Sequence, residues 1–363
     1  MIRGALWALA LGFGVSACGG AEPHSTDART LPPLNEDAVR AYVDGSRLLA
    51  RGRTKVARAR FDRALALDPN LWEAHYNLGV LLLREGDLDG ATKAFLRALR
   101  IDEGAKRPRL ALAGVLLRRG DVDGAAEHLR RHLDAYPDDH DARVRYAALL
   151  RRRRDYDEAL GMAREVLVRD PRHVGALLEV GRIYRAQAEY DVAELVFQKA
   201  LALGEAKAAA HNELGLVSLE RGDTQAAFVE FGKAIEADPR FLPARENQGS
   251  VLLLSGDYGG AVREYGAAKA IDPQNAAVRV ALGAALRGHG EHAAAEGEYR
   301  AVLEEDPHHP GALFNLGVLY AEFLGKRDRA KPYFERYLRV SQGSSSHRTM
   351  AERYVKELPE ASP

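Results

Sequence analysis

The chain has 363 residues, more than one globular core usually serves, with 52 Lys plus Arg balancing 52 Asp plus Glu and a single cysteine. Zero net charge argues against a dedicated nucleic-acid binder, which would carry a basic excess. One cysteine excludes a disulfide framework and a thiolate metal site.

Residues 1–17 read as a signal peptide. Arg3 is a short basic start, Ala5 to Val15 an apolar stretch, and Ser16-Ala17 the small residues before a cleavage point. Eleven residues fall short of the roughly 20 that a spanning helix needs; a buried core helix is the plainer alternative. Cys18 follows Val15-Ser16-Ala17, which resembles the bacterial lipobox. The resemblance implies a covalent lipid on Cys18 as first mature residue, and no other cofactor is expected. A plain secretory signal with an incidental cysteine is the alternative, but a leftover thiol is unusual in an exported protein. Gly19 to Asn35 is rich in Gly, Pro, Ser and Thr, so residues 18–37 form the lipidated cysteine and a flexible tether. Residue 19 is glycine, not the aspartate that retains similar lipoproteins in the inner membrane. The resemblance therefore implies a cell-envelope protein anchored to the outer membrane and facing the periplasm.

From residue 38 to 343 a 34-residue pattern repeats nine times. Stepping from Ala227 by that period reaches Ala57, Ala91, Ala125, Ala159, Ala193, Ala261 and Ala295. The eighth position holds Gly45, Gly79, Ala113, Ala147, Gly181, Gly215, Gly249, Gly283 and Gly317, and the thirty-second is mostly proline. A period of this length marks a solenoid. Within one unit, Leu214, Leu216, Val217 and Leu219 crowd one helix, while Phe228, Phe231, Ala234 and Ile235 recur at helical spacing on a second. Gly222-Asp223 separates them: glycine ends the first helix in a left-handed conformation and aspartate suits the start of the second. Asp238-Pro239 closes the unit. Small residues at positions 8, 20 and 27 let the helices approach, an aromatic at 24 fills the space beside them, and neighbours must stack to bury both faces.

These positions resemble the tetratricopeptide repeat family, over roughly Ala38 to Gly343. The resemblance implies an all-α, right-handed superhelix of about nine helix-turn-helix repeats. Leu129 and Ala163 depart from the aromatic of position 24, and repeat nine gains one residue around Gly325, displacing Ala330 and Phe334. Residues 344–363 supply a capping helix and tail, with Met350, Tyr354, Val355 and Leu358 on one helical face.

No phosphate loop, dinucleotide fingerprint, HExxH or nucleophile elbow is present, and an enzyme needs convergent acid and base groups that the sequence does not offer. His128 and His132 lie four apart on a helix and read as solvated positions; His289, Glu291 and His292, and His308-His309, fall at turns. No metal is assigned. In the family resembled, first-helix positions 2, 5, 6, 9, 12 and 13 line the concave groove. In repeats three to five these include Arg107, Arg118, Arg145, Arg151, Arg152, Arg182 and Arg185, against only Asp141 and Glu179. One sign of charge on a concave surface concentrates the opposite charge, and guanidinium groups bind carboxylates bidentately. Ordinary surface charge in an arginine-rich chain is the plainer reading. Position 6 carries Asn77, Asn247 and Asn315; in groove-binding members this amide bonds an extended peptide, having both donor and acceptor.

The expected function is a membrane-anchored periplasmic lipoprotein acting as a non-catalytic scaffold. Its partners would be proteins, met through an acidic or extended segment, with no nucleic acid. Lipoproteins of this design serve pilus secretin assembly, exopolysaccharide export or gliding motility. The alternative is a glycan- or peptidoglycan-associated adaptor recruiting a cell-wall enzyme, which groove aromatics would favour; the inward positions offer Tyr42, Tyr76 and Phe314.

Overall fold

A computed structural model describes residues 35–342 and 346–358. The expected signal peptide, Cys18 and most of the tether lie outside the described residues. Nineteen α-helices and no strand occur among the described residues. They divide into two compact units, Met1–Pro171 and Arg172–Pro363.

The first unit holds four hairpins: α1 (Glu36–Ala50) with α2 (Thr54–Leu67), α3 (Trp72–Arg84) with α4 (Leu88–Ile101), α5 (Lys106–Arg118) with α6 (Val122–Ala135), and α7 (His140–Arg153) with α8 (Tyr156–Arg169). The second holds α9 (Val174–Ala186) with α10 (Tyr190–Ala202), α11 (Lys207–Glu220) with α12 (Thr224–Ala237), α13 (Leu242–Leu254) with α14 (Tyr258–Ile271), and α15 (Ala276–His289) with α16 (His292–Glu305). Its last hairpin is α17 (Pro310–Val318) with α18 (Arg327–Val340), and α19 (Ser346–Glu357) caps it. Within each unit the second helix of a hairpin packs on the first helix of the next, so neighbouring hairpins bury apolar surface that neither could bury alone.

The turn inside each hairpin follows from two residues. Gly222, with φ at +84°, ends α11, and the Asp223 carboxylate accepts the Ala226 amide at 2.9 Å to begin α12. Asp87, Asp121 and Asp257 cap α4, α6 and α14 in the same way. The left-handed residue recurs at this register in every repeat but the last, where Gly325 stands one place later. Repeats four and five adopt it without glycine, at Arg154 (φ +66°) and Ala188 (φ +62°).

Helix approach is set by positions 8 and 24. A Cβ on Gly215 would fall 2.5 Å from the Phe231 ring, so only glycine admits that aromatic. In repeats three and four the pair changes together: Ala113 with Leu129 and Ala147 with Ala163, all buried. The added methyl takes room that the missing ring leaves, and packing stays closed.

One expectation needs correction. His132 is not solvated; it is 0% exposed, occupying the small slot of position 27 beside Leu129. Its Nε2 meets the Asp139 carboxylate at 2.8 Å. Burial alone would raise the pKa of Asp139, but the Ala142 amide and the His132 ring outweigh it and hold the carboxyl below its usual range. The inserted residue of repeat nine is absorbed before Gly325, in a π-helical turn over Leu319–Phe323 at the end of α17. There the Leu324 amide reaches back five residues to the Leu319 carbonyl at 3.0 Å. Gly325 (φ +63°) then serves as the left-handed terminator, and the displaced Ala330 and Phe334 remain fully buried.

Candidate partner-binding face

In the first unit the first helices α3, α5 and α7 end on arginine because cations suit a helix C-terminus. Arg84 closes α3, Arg118 closes α5 and Arg152 lies in the last turn of α7. All three are position 13 of their repeats, all are exposed, and none has a hydrogen bond or ion pair among the described residues. Arg145, one side of the same α7 face, is likewise exposed and unpaired. The adjacent position differs. Arg119 reaches Asp89 of the preceding repeat at 3.0 Å, and Arg153 reaches Asp123 at 3.4 Å. Position 14 thus ties repeats together while position 13 is left to solvent.

The second unit treats its arginines otherwise. Arg182 Nε donates to Glu213 at 2.7 Å, and its guanidinium lies 3.6 Å from Glu179. Arg185 lies 3.5 Å from Glu213 and pairs with Glu220 at 2.5 Å. Glu179 is 1% exposed and Glu213 5%, so these carboxylates need their cations. Burial works against charge on Arg182, yet Glu213 and Glu179 outweigh it and raise its pKa. The expected basic belt therefore divides: Arg118, Arg145 and Arg152 are available, whereas Arg182 and Arg185 are held in an internal network.

The three asparagines are engaged within the protein. Asn77 donates to Ser46 at 3.2 Å and Asn247 to Asn212 at 2.9 Å, each linking neighbouring first helices. Asn315 donates to the Gly311 carbonyl at 2.9 Å and accepts from Arg287 at 3.1 Å. The inward aromatics pack on the aromatics of their own repeats, Tyr42 and Phe314 buried and Tyr76 half-buried: Tyr42 lies 6.1 Å from Phe61, Tyr76 5.7 Å from Phe95, and Phe314 5.9 Å from Phe334. Burial raises the pKa of both tyrosines.

The turn histidines have structural partners. His309 accepts the Ala312 amide at 3.2 Å as the cap of α17, His289 meets Glu291 at 2.9 Å, and His292 lies 5.3 Å from Phe323. Burial, with Arg109 nearby, holds the pKa of His128 below its usual value. Among the described residues no group of three His, Cys, Asp or Glu is placed to hold a metal, and no described helix is long and apolar enough to cross a membrane.

This geometry, helical pairs in one register with a glycine–aromatic crossing, meets its match in the family comparison. Models described as tetratricopeptide repeat match residues 42–106 and 280–338 and residues 82–152. The chain belongs to the tetratricopeptide repeat family. A third model, the middle tetratricopeptide-like domain of cilia and flagella-associated protein 70, matches residues 118–214. No curated protein sequence matches the chain significantly. Among solved structures, the Cut9–Hcn1 hetero-tetramer of the APC/C is 14% identical, with TM-score 0.53 over 92% of this chain and 78% of that one. Yeast Tom70 is 12% identical, with TM-score 0.46 over 89% of this chain and 96% of that one. The MamA protein is 24% identical, with TM-score 0.38 over 46% of this chain and 92% of that one. Tetratricopeptide repeats are protein-interaction scaffolds and generally not catalytic, and in this one the first-helix face of the first unit carries a row of unpaired arginines.

Sequence reasoning missed Arg84, although a 34-residue step back from Arg118 reaches it.

Proposed function

We propose that this tetratricopeptide protein is a non-catalytic, lipid-anchored scaffold of the bacterial cell envelope, held at Cys18 on the periplasmic face of the outer membrane. Its first-helix face docks a segment of a protein partner within an assembly of the secretin, exopolysaccharide-export or motility kind. The observation that carries the docking reading is the set of exposed, unpaired arginines Arg118, Arg145 and Arg152 on α5 and α7. A glycan-adaptor reading has less support, because Tyr42, Tyr76 and Phe314 pack into their own repeats.

Two measurements test the proposal. Cys18→Ser should move the protein from membranes to the soluble envelope fraction, because buried acyl chains contribute about 0.8 kcal/mol per methylene; a mutant that stays on salt-washed membranes defeats the anchor. A photo-crosslinking residue at Gly114, on the α5 face, should trap a partner in cells, whereas one at Leu195, 65% exposed on α10, should not. Equal trapping at both sites removes the docking face.

A further inference from the structure

Arg84, Arg118 and Arg152 are more than three exposed cations: they repeat at one register on consecutive first helices. Helices in contact lie about 8–10 Å apart, and α3 touches α5 directly. An extended chain in the polyproline II conformation advances about 3.1 Å per residue and turns once every three, so every third side chain faces the same way and recurs at roughly the distance between neighbouring arginines. The floor beside the row is smooth on α5. Gly114 is exposed with open space where a Cβ would stand, Ala111 lies one turn before it, and Ala148 holds the same position on α7, where Arg145 stands at the edge. Small side chains let a main chain lie close, and the inward aromatic of α3, Tyr76, is half-buried against Phe95.

We propose that the row formed by Arg84, Arg118 and Arg152 binds an extended acidic peptide segment whose carboxylates fall on every third residue. This rests on the docking reading above and adds its register and polarity. Each guanidinium takes one carboxylate, and the segment crosses repeats two to four perpendicular to the helices. Arg119 and Arg153 do not compete, since Asp89 and Asp123 hold them. On the first helices of the second unit Arg182, Arg185, Arg245, Arg279 and Arg287 are all engaged within the protein, so among the first helices the row of the first unit is where an incoming carboxylate meets open cations.

The test uses the full chain and synthetic fluorescein-labelled peptides of one composition, three glutamates in a Gly/Ser/Ala background, each with a photoreactive end group. Anisotropy titrations compare glutamates three apart, adjacent, and five apart. The three-apart peptide should bind tightest and crosslink to α3, α5 or α7, with affinity falling as salt rises. Replacing Arg84, Arg118 or Arg152 by Ala should weaken it roughly two- to fivefold each, and Arg60→Ala on the exposed side of α2 should leave it unchanged. Peptides binding alike whatever their spacing, yet crosslinking to the first helices, overturn the register and leave the docking face standing. Crosslinks confined to second helices overturn both. Dextran sulfate displacing every peptide equally, with no spacing preference, shows a general polyanion surface and overturns the proposal.

Discussion

Tyr265 and Tyr299 occupy the same position in successive repeats and differ by one neighbour. Tyr265 shares a 2.8 Å hydrogen bond with Ser250. In the next repeat Ala284 replaces that serine, and the Tyr299 hydroxyl is buried without a partner. Desolvation pushes the Tyr299 pKa from 10 up to about 12, with Arg287 pulling weakly the other way. An unmet buried hydroxyl costs about 1–3 kcal/mol, so Tyr299→Phe should raise stability by about 1 kcal/mol in urea unfolding, while Tyr265→Phe should lower it by a similar amount. The raised pKa gives the same site an alkaline signature. Folded protein keeps the phenol protonated, so its contribution is full below pH 10, where the unfolded phenol ionises, and is lost as pH rises through about 12. Tyr299→Phe should flatten that part of the stability–pH curve. Equal effects of the two phenylalanine substitutions would remove the argument.

The hairpin turn shows which parts of an element the sequence makes legible. Gly222-Asp223 predicts a left-handed stop followed by a cap, and both are found, because each depends on one residue and its immediate backbone. Arg154 and Ala188 break the glycine pattern yet keep the conformation, since neighbouring repeats fix where both helices end. A non-glycine residue there costs about 1–2 kcal/mol, so Ala188→Gly should stabilise the protein by about 1 kcal/mol and raise its denaturant midpoint. Loss of stability instead would mean that glycine's freedom in the unfolded chain outweighs the relief of strain. The π turn was less legible. The residue count shows one extra position near Gly325, but whether loop or helix absorbs it depends on three-dimensional anchors. Leu319 and Tyr320 are buried, with the Tyr320 hydroxyl bonded to Glu296 at 2.7 Å. Those anchors hold the last turn of the α17 segment in place, and the insertion widens it. His132 was misread for a related cause: helical spacing gives its neighbours on one helix, not the Asp139 carboxylate waiting at the next.

Across the chain, a 34-residue period specifies what repeats and is silent on what does not. Helix order, hairpin partners and the position 8 to 24 crossing were legible because every unit restates them. The charge state of the binding face was not, because Glu213 and Glu220 reach Arg182 and Arg185 from the following repeat. An inventory by position cannot say which cation a neighbour claims. The ends of the solenoid obey the same nearest-neighbour logic, and there the cap carries the heaviest demand. Without α19, repeat nine would present the Phe334 ring and the Phe314–Tyr337 pair to water. In the structure Tyr354 stacks on Phe334 at 4.6 Å with the rings 9° apart, and its hydroxyl bonds Glu322 at 2.8 Å. Ala351, Tyr354 and Leu358 are all buried. A fully buried large apolar side chain contributes about 1.5–3 kcal/mol, so ending the chain at residue 342 should remove about 3–5 kcal/mol from the last repeats. Coupling in a solenoid passes between neighbours, so amide exchange should quicken most in α17 and α18, less in α15 and α16, and little in α1 to α4. Tyr354→Ala, which keeps the chain length, should reproduce the gradient at smaller amplitude. Uniform quickening along the whole chain would show instead that the repeats unfold as a single cooperative block, and the cap would then matter to every repeat equally.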